Sequence, residues 1–522
     1  MSKRFYITTA IDYVNGQPHL GHAYEKVITD VIARARRSFG QEVFFLTGLD
    51  EHGQKVQQAA QAEGKDPQQF CEELAEQWWK FVRLLNISND DFIRTTQPRH
   101  KAVVQALLQK LYDQGDIYKA PYRGWYSWKE ETFLTDRDRE PDGTWHPRWG
   151  EVTELSEDNW YFRLSKYQDW LIEYIESHPD FVRPESRLNE VLGFLKSERL
   201  EDLCISRPKS RLTWGITIPF DPEYVTYVWF DALTNYYSVP VSLGDDEAAA
   251  PLKGYYKPVD QPCYPGIRIW PADIHVIGKD ILRFHAVYWP IMLKAAGIPL
   301  PSQILVHGWW QKDGQKMSKT TGNMVDPVEV IGEWGVDAFR YYVVRELDIG
   351  PDGNWTDASF AARYHAELAN GLGNLVNRSL SMLKKYRAGR VPHPHDELAP
   401  FVNEVVTQTR QLLEQNKLQA ALVNIWELVD HANQYVDRTM PFKLAKDPAQ
   451  AARLDQVLYN LAEVCRILAV LLWPFIPDTA ARIYKLLGLE GIPNKFAMAA
   501  WGGLPQGHQI GQLEVLFPRK DR

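Results

Sequence analysis

The chain has 522 residues, more than the ~250–300 over which one hydrophobic core grows, so it divides into several structural units. With 45% apolar residues and 19 Trp it has the composition of a folded chain, and its net charge of −8 argues against indiscriminate nucleic-acid binding while leaving room for local basic patches. The four cysteines, Cys71, Cys204, Cys263 and Cys465, form no CxxC pair and fit a reducing cytoplasm. The opening SKRFYITT reads as a strand entry and not as a signal peptide. The longest apolar run, ILAVLLWPFI, is short for a membrane span and contains Pro474, so no membrane partner is expected.

FYITTA predicts a buried strand, and VITDVIARARRSF has helical apolar spacing. Between them lies IDYVNGQPHLGHAY, with His19 and His22 three apart around Gly21 at a helix start. Such a turn suits phosphate, since helix N-terminal amides attract negative charge and a glycine lets a ligand approach the backbone. EVFFLTG predicts the next strand and ends on GLDEHG, where Asp50 is placed either to pair with an ammonium group or to cap the following helix with Glu51. Asp66-Pro67 predicts the N-terminus of a further helix. Apolar strands alternating with helices predict a doubly wound parallel sheet whose ligands sit at the strand carboxyl ends.

From about 116 to 224 short segments rich in Trp, Tyr, Pro and Arg predict an irregular β insertion, with Trp125, Trp128, Trp145 and Trp149 as its packing. No cysteine lies between Cys71 and Cys204, and His146 is the lone histidine of the insertion's YRGWYSWKEETFLTDRDREPDGTWHPRWGE stretch, short of the four ligands of a structural zinc. YVTYVWFDALTNYYS and IRIWPADIHVIGKDILRFHAVYWPIMLKAAG then return to strand and helix. Trp229, Ala232 and Tyr236 share near-helical spacing, and His285 and Trp289 lie four apart. KMSKT follows on a Gly-flanked loop, where lysines suit a polyphosphate as mobile charges. Asp326-Pro327 caps one helix and Asp337 opens another. Long amphipathic patterns beyond about 358 predict a bundle, in whose first helix Asn370, Asn374 and Arg378 form one polar stripe.

HLGH near the start and KMSKT far downstream resemble the paired signatures of class I aminoacyl-tRNA synthetases. TGLDEHG (47–53), DDFIRTT (90–96), ISRPKSR (205–211), YVWFDALTNY (227–236) and IGKDILRFHAVYWP (277–290) come in the order that resembles the methionyl-tRNA synthetases. The resemblance implies a multidomain chain: a Rossmann-like α/β catalytic domain in two halves (1–115 and 225–310), a zinc-free connective insertion (116–224), a stem-contact region with the KMSKT loop (311–357) and a helical anticodon-binding domain (358–522). It implies catalytic roles for His19, His22, Lys316 and Lys319, with Gly21, Gly278 and Asp280 joining them in binding ATP, and Mg²⁺ accompanying the ATP. Methionine is expected between Ala10, Ile11, Tyr13, Asp50, Trp229, Ala232, Tyr236, His285 and Trp289. An apolar slot with one phenol or imidazole donor distinguishes a thioether from a methylene, and homocysteine is expected to be removed by cyclisation in the same pocket. Asn370, Asn374 and Arg378 are expected at the anticodon of initiator and elongator tRNA(Met), and Pro441-Phe442 stands where many relatives have a stacking Trp after a Pro. No metal centre is expected. The chain ends at LFPRKDR without an appended tRNA-binding module, and a cytoplasmic monomer is expected.

Other readings predict different sequences. A synthetase for Ile, Leu or Val would carry a large editing insertion. A stand-alone nucleotidylyltransferase has no need of a bundle with an Asn/Asn/Arg stripe, and a non-catalytic relative would have lost a signature histidine or lysine. No GxxxxGK[ST] is present, and GLG at 371–373 falls inside a predicted helix.

Overall fold

The computed structural model describes residues 3–14, 16–129, 132–134, 136–259, 263–264, 266–317 and 322–520. The chain forms two compact units, one from Met1–Gln17, Leu46–Gln77 and Asp91–Leu305, the other from Pro18–Phe45, Trp78–Asp90 and Val306–Arg522.

A six-stranded sheet organises the first unit. Its strands are β1 (Phe5–Tyr13), β2 (Val43–Asp50), β3 (Asp91–Arg94), β4 (Val182–Arg183), β5 (Ile274–Gly278) and β6 (Gln303–His307). In space they run β3-β2-β1-β5-β6-β4. β1 pairs in parallel with β5, β2 with β3, and β6 with β4. All of β2 and β5 is buried, which explains why FFLTG and IHVIG read as mainly apolar runs rather than alternating ones. β2 and β3 approach so closely at Gly48 that a Cβ there would lie 2.1 Å from the Ile93 carbonyl oxygen. The strand order reverses between β1 and β5, which places a ligand crevice at their carboxyl ends.

The stretch expected as an irregular β insertion contains more than that. Strands Thr132–Leu134, Ile117–Ser127, Val152–Phe162 and Leu203–Cys204 do form a four-stranded antiparallel sheet, in that order. The same stretch also holds helices Gln168–Ser177 and Glu185–Ser197, and between them β4, the edge strand of the main sheet. A strand of two residues has no periodicity to read, so only its partner β6 reveals it.

The tryptophans of the insertion do pack, with a cation among them. The rings of Trp125 and Trp145 lie 6.0 Å apart, and the Arg139 guanidinium sits 5.1 Å and 4.1 Å from them. Trp128 donates from its indole to Thr153 at 2.8 Å, and Arg148 covers Trp149 at 4.0 Å.

The second unit contains the signature helix Leu20–Ser38, a three-stranded sheet of Gln315–Lys316, Trp310–Lys312 and Gly353–Trp355, and a helical bundle. The bundle's inner helix, Ala451–Leu472, is buried without a break from Val457 to Leu472, so the apolar run seen in the sequence belongs to a protein core. Among the described residues no helix is long and apolar enough to cross a membrane. Asp326 caps Pro327–Trp334 by accepting from the Val328 amide, as expected. Asp337 is different: Gly335 holds the cap position of Val336–Glu346, and the Asp337 carboxylate accepts instead from the Thr479 amide at the start of Pro477–Leu486.

Candidate active site

In the first unit the carboxyl end of β1 contributes Ala10, Ile11 and Tyr13, and the end of β2 contributes the buried Asp50. Asp50 and Glu51 do not cap the helix that follows, because Gly53 is its N-cap and no side chain bonds there. Glu51 is committed elsewhere. It accepts from Arg94 Nε at 2.7 Å and from the Thr96 hydroxyl, so DEHG and FIRTT are tied together by a buried carboxylate.

The helix Val228–Leu243 presents Trp229, Ala232 and Tyr236 as its spacing predicts. The Tyr236 hydroxyl lies 2.8 Å from His285 Nε2, and His285 Nδ1 lies 2.9 Å from the Ile281 carbonyl. A carbonyl only accepts, so His285 carries its proton on Nδ1 and takes the Tyr236 hydroxyl proton at Nε2. His285 and Trp289 do converge on Tyr236, with centroids 5.6 Å and 6.1 Å away, although Phe284–Tyr288 is π-helical and not α-helical. A π-turn of this kind shifts the face a helix presents and concentrates at functional sites.

Sequence reasoning missed three members of this cluster. Phe284 stacks face to face on Trp229 at 3.6 Å and an interplanar angle of 6°. His275 lies 4.2 Å from the Tyr236 ring, bonds Thr8 through Nδ1 at 2.8 Å and accepts from the Trp289 indole at 3.3 Å. Burial, with His285 nearby, pushes its pKa well below the usual imidazole value, so it is neutral. The Tyr6 hydroxyl donates to the Tyr236 carbonyl at 2.8 Å. A polar His275 in the middle of an otherwise apolar strand was the available signal, whereas Phe284 had none beyond the aromatic density around it. Gly278 ends β5 in the core, and Asp280 is exposed in the short turn beyond it.

In the second unit His19 is the N-cap of Leu20–Ser38. Its Nδ1 accepts from the Gly21 amide at 3.1 Å, while His22 Nδ1 accepts from the His19 amide at 3.2 Å. The two rings stack at 3.6 Å, and His22 meets the Trp78 ring edge-on at 4.9 Å. These amides, expected to be open to a ligand, are therefore taken by the imidazoles. With Nδ1 accepting, each neutral ring carries its proton on Nε2, which becomes its donor. Gly21 has a local reason as well: a Cβ there would press to 3.0 Å on His19 Cε1.

Lys316 ends a hairpin turned by Asp313-Gly314, both with positive φ, the conformation that Asp-Gly adopts in two-residue hairpins. It is exposed, with its ammonium group 4.8 Å over the Trp309 ring. Lys319 lies outside the described residues.

The expected anticodon stripe runs along one helical stretch, π-helical over Tyr364–Gly373 and α-helical over Asn374–Arg387. Asn370 and Asn374 are exposed, Asn370 accepts from Arg519 at 2.9 Å, and Arg378 pairs with Asp437 at 2.9 Å. Phe442 is 44% exposed on the short helix Pro441–Leu444. Among the described residues no group of three or more His, Cys, Asp or Glu is arranged to hold a metal ion.

The parallel sheet with its crevice and the two signatures define a class I aminoacyl-tRNA synthetase, and a family profile described as tRNA synthetases class I (M) matches residues 5–142 and 149–380. A second profile, described as the anticodon binding domain of methionyl tRNA ligase, matches residues 387–521. The chain belongs to the methionyl-tRNA synthetase family. It is 42% identical to the methionine–tRNA ligase of Caldanaerobacter subterraneus, over 100% of this chain and 80% of that protein, and 42% identical to that of Rickettsia felis, over 99% of both. Among solved structures it is similar to Mycobacterium tuberculosis methionyl-tRNA synthetase in complex with methionyl-adenylate, with 39% identity, a TM-score of 0.89, and coverage of 99% of this chain and 100% of that one.

Proposed function

We propose that this chain joins methionine to tRNA(Met) in two steps. The methionine carboxylate attacks the ATP α-phosphate in line, expelling pyrophosphate and giving methionyl-adenylate. A ribose hydroxyl at the tRNA 3′ end then attacks the methionyl carbonyl and releases AMP. Neither step needs a protein nucleophile, because phosphoryl transfer is catalysed chiefly by positioning and charge stabilisation. Asp50 pairs with the methionine ammonium. Ala10, Ile11, Tyr13, Trp229, Ala232, Tyr236, His285 and Trp289 enclose the side chain. The observation that carries this reading is the Tyr236–His285 pair, which sets one hydroxyl and one imidazole among apolar and aromatic walls. Such a lining favours a polarizable thioether over a methylene.

His19 and His22 donate from Nε2 to the phosphates as charge develops, and Lys316 and Lys319 follow the pyrophosphate. Gly278 lies against the adenosine, and Asp280 accepts from its ribose. Mg²⁺ would accompany ATP as its counter-ion and help neutralise the phosphate charge. A zinc knuckle does not fit the insertion: no cysteine lies between Cys71 and Cys204, and the Trp125–Arg139–Trp145 stack supplies cohesion there. Residues 1–115 and 225–310 serve as the two catalytic halves around insertion 116–224, with the stem contact in 311–357. Asn370, Asn374, Arg378 and Phe442, in 358–522, read the anticodon of initiator and elongator tRNA. The enzyme works as a cytoplasmic monomer.

The test is amino-acid-dependent ATP–pyrophosphate exchange without tRNA, across methionine, homocysteine, leucine, isoleucine and valine, with metal analysis of the same sample. Exchange with methionine far above the others, in a zinc-free protein, is the expected outcome. Exchange only with a branched amino acid would reassign the pocket. Lys319→Ala is expected to slow adenylate formation about a hundredfold or more while methionine affinity stays nearly unchanged.

A further inference from the structure

Beneath the methionine pocket lies a buried polar chain that the reaction does not use. Asp231, on the same helix as Trp229, Ala232 and Tyr236, is fully buried. Its Oδ2 lies 2.6 Å from His52 Nδ1, in the turn two residues beyond Asp50. Its Oδ1 lies 2.7 Å from His100 Nε2, on the helix Pro98–Asp113. His100 Nδ1 lies 2.9 Å from Ser238 Oγ, two turns further along the Asp231 helix. Ser238 Oγ in turn donates to the Asn235 carbonyl at 3.0 Å.

Burial pushes the Asp231 carboxyl up, but His52 and His100 outweigh it and hold the group down to about 2, so Asp231 is a carboxylate without a proton to give. His52 Nδ1 and His100 Nε2 therefore each donate to it, and His100 and Asp231 are both 0% exposed. His100 Nδ1 and Ser238 Oγ share the next hydrogen bond.

We propose that the buried bridge His52–Asp231–His100 positions the Asp50 turn against the helix carrying Trp229, Ala232 and Tyr236, and so sets the distance between the ammonium site and the side-chain slot. This rests on reading Asp50 as the ammonium site. His52 holds the turn to one carboxylate oxygen, and His100 anchors the other oxygen and the helix two turns on through Ser238. None of the three is among the residues proposed to hold the amino acid, so they are positioning residues. A buried polar bridge of this kind is a weak source of stability against an apolar replacement, and a device for holding one geometry is its better-attested use.

Exchange kinetics of the whole chain test this. In ATP–pyrophosphate exchange, His52→Ala is expected to raise the methionine KM about tenfold, as loss of one buried hydrogen bond to a charged group does, with kcat and the ATP KM within about twofold. His52→Asn, whose amide nitrogen stands where Nδ1 stood, is expected to bring the methionine KM back to within about threefold of the parent, which general loosening of the fold would not allow. An unchanged methionine KM in folded His52→Ala overturns the bridge. If that variant does not fold, Ser238→Ala decides: a rise of about threefold supports the bridge and no change overturns it. Asp50→Asn separates the two layers. An unchanged methionine KM there removes the ammonium reading and the bridge's purpose with it, whereas an impaired Asp50→Asn beside an unimpaired His52→Ala removes the bridge alone.

Discussion

The two units bury their charges for different ends. In the first, three of the buried carboxylates, Asp50, Glu51 and Asp231, lie on or beside the elements proposed to frame the amino-acid pocket. In the second, buried charges join helices to one another while the candidate reading residues stay at the surface. Asp30, on the signature helix, accepts from Arg34 at 2.7 Å, from Arg340 at 2.7 Å and from Ser88. Arg340, fully buried, also donates to the carbonyls of Leu85, Pro474 and Phe475. Glu463 similarly gathers Arg466 and the amides of Gly502, Gly503 and Leu504. The contrast follows from the ligands. A methionine side chain offers little surface and must be told from close analogues, so its site has to be dry and already bonded. Unstacked bases bring wide faces and charged backbones, so polar groups on an exposed helix serve them.

Breaking the second unit's network should give the largest effect. Arg340→Met leaves Asp30 buried with half its cationic partners and strands several carbonyls, and is expected to cost about 3–5 kcal/mol in denaturant unfolding. Asp337→Asn should act in the opposite direction. Burial pushes this carboxyl up to about 6, against the Thr479 hydrogen bond that lowers it. A folded pKa above the unfolded value favours the protonated form, so the contribution is fully present below about pH 4 and is lost as pH rises through about 6. Relative to Asp337→Asn, the parent should therefore lose about 2–3 kcal/mol between pH 4 and 8, read from unfolding curves at each pH.

Tyr236→Phe sharpens the comparison from the pocket side. It removes the proton that His285 Nε2 accepts, and should raise the methionine KM in exchange about tenfold with the fold intact. Arg378→Ala comes last. It breaks an exposed pair with Asp437, so stability should move by less than about 1 kcal/mol. Aminoacylation should fall about fivefold while tRNA-independent exchange stays at the parent rate, a split that no pocket variant should show.

The elements most legible in the sequence were those with a strong local signal. β1, β2 and the helices after Asp66-Pro67 and Asp326-Pro327 announce themselves by apolar runs and by proline in a first turn. The Trp229/Ala232/Tyr236 face follows from helical spacing alone. Asp337 does stand in the first turn of its helix, as its place in the sequence says, but its partner, the distant Thr479 amide, leaves no mark in the sequence. The π-turn at Phe284–Tyr288 was hidden because its i→i+5 bonding leaves no compositional mark.

The sequence alone determined which chemistry is present: two histidines around Gly21 at a helix start, paired lysines in a polar loop, an aromatic-rich helix and an Asn/Asn/Arg stripe, since residue type and short-range periodicity are local properties. Only the tertiary structure decided which groups answer to one another. That Asp231 joins His52 to His100, that Glu51 serves Arg94 and not a helix cap, that the amides of HLGH are closed by their own imidazoles, and that a two-residue strand from the insertion completes the main sheet all depend on directional bonds. Most of these join residues far apart in the chain, and even the short HLGH bonds depend on ring orientation, which spacing does not encode.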